Sequence, residues 1–357
     1  MPGRRSPSLA DPWLIGTFPC RFLASTRHVS HTFSTTRVLV ARAPTRIDFG
    51  GGWTDVPPYP EEHGGFVCNV AITRHARVRL SEERASYDED AERHGVSALV
   101  AAALRRAGAG TLRTTLASDF PIGAGLGGSS AAGVAVNGAL ARWCGEPLDA
   151  ASLAERSRAV EVEDLGVAGG RQDHYAAAIG GALGLRFESR VTATRIALAP
   201  ETRTALARRC VLVYTGQSRI SGDTIAAVLD AYRARTPRVL DALARMKALA
   251  IQMADALAAG DVDALGALVG EHWVHQRALH PAITTQTIDT IMSRARDAGA
   301  LGGKALGASG GGCVVVIAPA DRVGAVRRAV APCGELLDFA VDESGFTVLH
   351  DGAEAPE

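Results

Sequence analysis

The 357-residue chain has no pair of cysteines close enough to share a metal or a short disulfide loop. Cys20, Cys68, Cys144, Cys210, Cys313 and Cys333 are scattered without any CxxC spacing, which excludes a zinc ribbon and a disulfide frame and leaves the reduced thiols of a cytoplasmic protein as the expectation. Past the N-terminus there is no dense cationic run, and 38 Lys and Arg balance 38 Asp and Glu, so neither a nucleic-acid groove nor a membrane-binding surface is expected. Apolar runs such as CVVVIAPA, at 313–320, are far shorter than the roughly 20 residues that span a bilayer. No repeat of fixed period is present. Residues 1–37 nearly lack acids, with Asp11 alone among Arg, Ser and Thr. That composition matches an organellar transit segment, but a disordered extension or a start codon placed too early explains it more simply, so fold reasoning begins at Val38.

What is present reads as a mixture of helices and strands without strict βαβ alternation, which makes α+β the expected class. RVLVARAPTRIDF and GGFVCNVAITRHARVRLS have the alternation and β-branched content of strands. GVSALVAAALRRAG has helical spacing and ends on glycine, and TLRTTLASDFP is a further strand. SSAAGVAVNGALARWCG reads as a helix of small residues able to pack closely on a sheet, and LDAASLAERSRAVEVEDLG reads as another helix. GGRQDHYAAAIGG is a glycine-bracketed loop leading into a short helix. RRCVLVYTGQSR opens a second half, giving expected domains at 38–200 and 201–357. Helices then follow to GKALGASGGGCVVVIAP, a glycine loop feeding a buried strand.

The chemistry concentrates in PIGAGLGGSSAAG, at 121–133. Glycines that let backbone N–H groups converge, followed at once by a helix start, make a cradle for phosphate. A P-loop needs a lysine after its glycines, and none is there. Gly123, Gly125 and Gly128 do satisfy the dinucleotide pattern G-x-G-x-x-G, but the incoming segment ends in SDFP and no acid-terminated strand follows about 20 residues later. The pattern P-x-x-x-G-L-G-x-S-S-A is met in full by Pro121, Gly125, Leu126, Gly127, Ser129, Ser130 and Ala131. It resembles the central ATP-binding motif of the GHMP small-molecule kinases. The bland alternative is a tight turn whose serines merely cap the helix. ARAPTRIDFGGGWTDVPPY and GGKALGASGGGCVVVIAP resemble that family's N-terminal and C-terminal motifs, in the right order.

The resemblance implies a two-domain fold, a ribosomal-protein-like α/β half and a ferredoxin-like α+β half, with the active site between them. It implies ATP and Mg²⁺ as cofactors. Pro121, Gly123, Gly125, Leu126, Gly127, Gly128, Ser129, Ser130, Ala131, Gly310 and Gly311 would serve the nucleotide. Ser129 and Glu161 would hold the metal, with Glu163 a competitor for the second place. Asp173 would be the catalytic base and Arg46 its cationic companion, the alternatives being a helix cap and a surface ion pair. Trp53, Thr54, Asp55, Arg171 and Gly307 would face the substrate. Within the family, GGWTDVPPYPEEHGGFV is similar to two groups, the D-glycero-D-manno-heptose 7-phosphate kinases and the L-fucokinases. Other segments lean to the heptose group, although His174 departs from its usual G-G-K-Q-D-Q-Y loop. Both imply a sugar or sugar phosphate as partner and phosphorylation of the anomeric hydroxyl, by a monomer or homodimer. For a phosphorylated sugar the expected cation is Arg171, with Lys304 second. A catalytically silent GHMP-fold sugar sensor and a nicotinamide-dependent oxidoreductase are the alternatives from other classes.

Overall fold

The computed structural model describes residues 36–82, 96–217 and 222–353, so the extension expected over 1–37 lies outside the described residues except for its last two. The strands are β1 (Arg37–Gly50), β2 (Gly65–Ser81), β3 (Arg113–Ser118), β4 (Ala182–Phe187), β5 (Val191–Ile196), β6 (Cys210–Tyr214), β7 (Gly302–Ala305), β8 (Cys313–Ile317), β9 (Glu335–Leu337) and β10 (Thr347–Ala353). The helices are α1 (Tyr59–His63), α2 (Val96–Ala107), α3 (Gly128–Trp143), α4 (Ala150–Ala159), α5 (Gln172–Ile179), α6 (Pro200–Arg209), α7 (Gly222–Arg233), α8 (Pro237–Ala259), α9 (Val262–Leu279), α10 (Gln286–Asp297) and α11 (Val323–Val330).

Two antiparallel sheets organise the chain. In the first, the order is β10-β1-β2-β4-β5, with β3 paired to the far half of the long β2. In the second it is β7-β8-β6-β9. The class is α+β, as the mixed element order implies. β10 departs from the expected boundary: it lies within 201–357, yet it pairs with β1 and extends the first sheet. Val348 packs against the first apolar cluster from there, so the second half stops short of this last strand.

α3 packs on the first sheet because it presents almost nothing larger than valine. Nearly all of its residues are buried, and a Cβ at Gly138 would lie 2.5 Å from the Phe346 ring. Three apolar clusters follow. One fills the space between the first sheet and α2 to α5, and another gathers around β6, β8 and α8 to α10 with Trp53 and Tyr59 packed against it. The third joins the halves, with Ile47, Phe49, Cys68 and Val70 of the first sheet packed among Leu249, Met253, Val269, Leu306 and Val315. That shared core holds the glycine loops of the two halves in register across the cleft. No helix of the described residues is long and apolar enough to cross a membrane.

Candidate active site

A cleft of about 970 Å³ opens between the halves, lined by residues 118–130, the 161–174 segment, β1 and the glycine loop after β7. Its floor comes from β1. Arg46 and Asp48 share a face by the two-residue strand period, and register shifts at Pro44/Thr45 and Asp48/Gly50 bend the strand there.

Arg46 is 3% exposed and grips Asp173 with two parallel bonds, Nε to Oδ1 at 2.7 Å and Nη2 to Oδ2 at 2.8 Å. Its Nη1 also donates to the Gly125 carbonyl at 2.7 Å, tying the nucleotide-loop candidate to the same guanidinium. Asp173 sits in the first turn of α5 but does not cap it, since Arg171 occupies the cap position. The Asp173 carboxylate is therefore held for the cleft rather than for its own helix. Each of its oxygens keeps a lone pair beyond those given to Arg46.

The loop over 121–127 turns on left-handed glycines, with φ +71° at Gly123, +72° at Gly125 and +73° at Gly127. Two of them also answer close approaches. A Cβ at Gly127 would meet the Asp173 carboxylate at 3.0 Å, and one at Gly125 would meet the Leu306 carbonyl at 2.7 Å. α3 then starts with Gly127 at its cap and no side chain capping it among the described residues. The first N–H groups of a helix lack partners within it, so this end offers donors and a positive dipole to the cleft. The serines do not cap. Ser129 Oγ and Ser130 Oγ both donate to Glu161, the latter at 3.1 Å.

Glu161 reaches them from a single π-helical turn, Val160–Asp164, of the kind often found at functional sites. The same turn sends Glu163 outward to Arg106 at 2.7 Å, so Glu163 is not part of the cleft. His174 Nε2 lies 2.8 Å from Glu161, off the line of a hydrogen bond. Burial alone would raise the Glu161 carboxyl, but His174 and the two serine hydroxyls outweigh it and hold the group below its usual range.

Asp55 is buried at the opposite side, and its Oδ2 accepts from the backbone N–H of Arg171 at 2.9 Å and of Gln172 at 3.1 Å. A Cβ at Gly170 would stand 1.9 Å from that oxygen, which is why the approach needs glycine. Burial pushes the Asp55 carboxyl up to about 6; the two amides oppose this, and the charges of Asp173 and Asp48 add to it.

Several residues expected in the cleft sit elsewhere. Thr54 is fully buried and spends its hydroxyl on the Gly51 and Phe66 backbone, locking the loop instead of facing a substrate. Arg171 contributes its main chain, while its side chain turns to Glu155 at 3.8 Å. Lys304 is entirely buried and bonds Asp48 Oδ2 and the Asp48 carbonyl, both at 2.9 Å, so it cannot meet a substrate or nucleotide phosphate. Gly310 gives its N–H to the Ile283 carbonyl, and Ala131, within α3, faces the core. Gly307 and Gly311 do line the cleft, as does Trp53, which adopts φ +77°. Gly307 also packs against the Gly125 backbone.

Profiles of known families match both halves: the GHMP kinases N terminal domain over residues 95–181 and the GHMP kinases C terminal domain over 253–334. The chain belongs to the GHMP kinases. GHMP kinases are phosphotransferases that use ATP as phosphate donor. Among the relatives of this GHMP kinase is the D-glycero-alpha-D-manno-heptose 7-phosphate kinase of Campylobacter jejuni, 27% identical, with 87% of this chain and 98% of the relative aligned. The L-fucokinase/L-fucose-1-P guanylyltransferase of Bacteroides fragilis is 28% identical, but this kinase spans only 38% of that longer protein. A D-glycero-D-manno-heptose 1-phosphate kinase structure from Bacteroides thetaiotaomicron superposes with a TM-score of 0.69 at 24% identity, over 87% of this chain and 99% of that one, and so shares the fold.

Proposed function

We propose that the protein is an ATP- and Mg²⁺-dependent sugar kinase acting on the anomeric hydroxyl of D-glycero-D-manno-heptose 7-phosphate. The observation that carries the kinase chemistry is the Arg46–Asp173 pair beneath the N-terminus of α3. The end-to-end alignment with the Campylobacter jejuni relative supports the heptose. ATP phosphates would lie on the free N–H groups of the 123–130 turn, with the base against the apolar wall of Leu116, Phe120 and Leu165. Glu161 with the Ser129 hydroxyl is an all-oxygen donor set without an Arg or Lys partner in the described contacts, which suits Mg²⁺. A metal bound there would neutralise charge on the transferring phosphates. Asp55 would accept from sugar hydroxyls through Oδ1, its other oxygen being committed to the α5 backbone. Asp173 would take the proton from the attacking hydroxyl as the new P–O bond forms. Arg46 would offset the charge that builds on the reacting oxygens.

One observation favours a second reading, an unphosphorylated sugar such as L-fucose. Among the described residues, Arg46 is the only Arg or Lys lining the cleft, and Asp173 already holds it. ADP release with ATP and a panel of free and phosphorylated hexoses and heptoses decides between them. Turnover of the heptose 7-phosphate in preference to all free sugars is expected. Preference for L-fucose would transfer the assignment to the fucokinase reading, and ATP binding without any turnover would favour a sugar sensor.

The Asp55 environment adds a pH dependence. As pH falls through about 6 the carboxylate takes up a proton and loses an acceptor site, so KM for the sugar should rise while KM for ATP holds. Asp55→Asn should abolish that inflection. A sugar KM that stays flat between about pH 7 and 5 would remove Asp55 from the substrate contacts.

A further inference from the structure

We infer that His272, on α9 of the second half, is a positioning residue for the substrate loop of the first half, acting as a neutral hydrogen-bond acceptor. This rests on the reading of the Gly50–Asp55 loop as the sugar-binding segment.

The contact is specific. Gly51 N–H donates to His272 Nε2 at 2.9 Å, and the imidazole is completely buried. An Nε2 that accepts must be unprotonated, which places the ring's one proton on Nδ1. Nδ1 has no partner among the described residues. A buried donor left unpaired is unfavourable, so packing alone gives no reason for an imidazole where a leucine would fit. What the imidazole supplies is the acceptor.

Its surroundings keep it neutral. The charged and titratable groups that act on it are Lys304, Asp48 and His275. Burial and the Lys304 ammonium together depress its pKa to about 3, against the opposing pull of Asp48. A protonated ring would lose the Gly51 bond and face a buried cation.

The loop it holds has little freedom of its own to fall back on. Gly51 has φ +87°, and a Cβ there would stand 1.9 Å from the Phe66 carbonyl. Its carbonyl takes the Thr54 hydroxyl, so the Gly51 peptide carries the turn that presents Trp53 and Asp55. One helical turn after His272, Gln276 donates to the Ala305 carbonyl at 3.3 Å and to Ser309 Oγ at 2.9 Å, in the glycine loop on the far side of the cleft. α9 thus spaces the two loops that face the substrate, with His272 gripping one and Gln276 the other.

The test pairs kinetics with spectroscopy. His272→Leu, which keeps the volume and drops the acceptor, should raise KM for the heptose 7-phosphate (or for L-fucose, if that is the sugar turned over) by about tenfold or more, with KM for ATP within about twofold. His272→Gln, which restores an acceptor, should recover most of that loss. A wild-type sugar KM in the leucine variant, equal shifts in both KM values, or a glutamine variant no better than leucine would each overturn the inference. Independently of turnover, [15N]histidine NMR of the wild-type protein, assigned with His272→Gln, should show His272 as the neutral Nδ1–H tautomer with no titration between about pH 5 and 8. A titrating ring or the Nε2–H tautomer would overturn the inference even if the kinase reading holds. A failed kinase reading would leave the NMR result unaffected.

Discussion

Asp173→Asn should lower kcat by a factor on the order of 10² to 10⁴, the usual contribution of a general base, while ATP still binds. The proposed nucleotide cradle consists of backbone N–H groups of the 123–130 turn, which the substitution leaves in place. The Asp55 carboxylate, the proposed sugar contact, is equally untouched, because it is anchored by the Arg171 and Gln172 amides. Asparagine would still offer one oxygen to Arg46 but would set an NH₂ donor against the other guanidinium N–H. The acceptor of the hydroxyl proton is lost in either orientation. Single-turnover phosphoryl transfer, read beside a nucleotide titration and a melting curve, separates chemistry from binding and folding. Turnover near that of the wild type would take Asp173 out of the proton transfer and leave it as the orienter of Arg46.

The second large effect concerns stability. Lys304→Met should destabilise the fold by about 3 to 5 kcal/mol near neutral pH, because it removes the ammonium paired with the buried Asp48 carboxylate. Asp48 is 3% exposed and its Oδ1 already lacks a partner, so the site has no spare donor to take over. Burial favours the neutral acid there, but the charges of Lys304 and Arg46, with the Lys304 hydrogen bond, win and hold the Asp48 carboxyl below its usual range. A carboxyl lowered in this way adds stability above its unfolded-state pKa, and the contribution is lost as pH falls through the lower folded value. Without Lys304 the sign reverses, and the penalty should shrink in acid as Asp48 takes a proton. Replacing both residues with apolar ones, Asp48→Leu with Lys304→Met, should recover much of the loss. Urea denaturation of the single and double variants checks this. A single variant as stable as the wild type would show that the pair does not hold the halves together.

The sequence carried the cleft's local parts and missed its long-range ones. The 121–131 loop, the GGWTD turn and the 305–312 glycine motif are legible because backbone geometry demands glycine at fixed offsets, as the Gly127 contact with Asp173 shows. Glu161 could be separated from Glu163 only by the π turn, which has no pattern of its own in AVEVEDLG. Asp48 and Lys304 are far apart in the chain and meet only because β1 and β7 face one shared core. Lys304 therefore reads as an available cation until its burial is seen. Arg171 misled for a related reason: its position in the loop was right, but side-chain direction at a helix start is set by neighbours such as Glu155. His272 and Gln276 lie in a helix without a distinctive sequence motif, and nothing local marks their buried partners. The alternating VTATRI of β5 was a signal open to reading.

The pairing of β10 with β1 makes the first strand of the kinase wait for the last. Residues near Arg37 leave the ribosome long before their partners near Ala353 are made. Until then β1 has β2 on one side and an unpaired row of amides and carbonyls on the other, the kind of edge that recruits other chains. Closing that edge joins strands far apart in the sequence, which places it among the slow, non-local steps of folding. The first half therefore cannot complete its sheet as an independent early unit during translation. A nascent chain stalled before Thr347 would leave the β1 edge exposed, with the rest of the cleft already encoded.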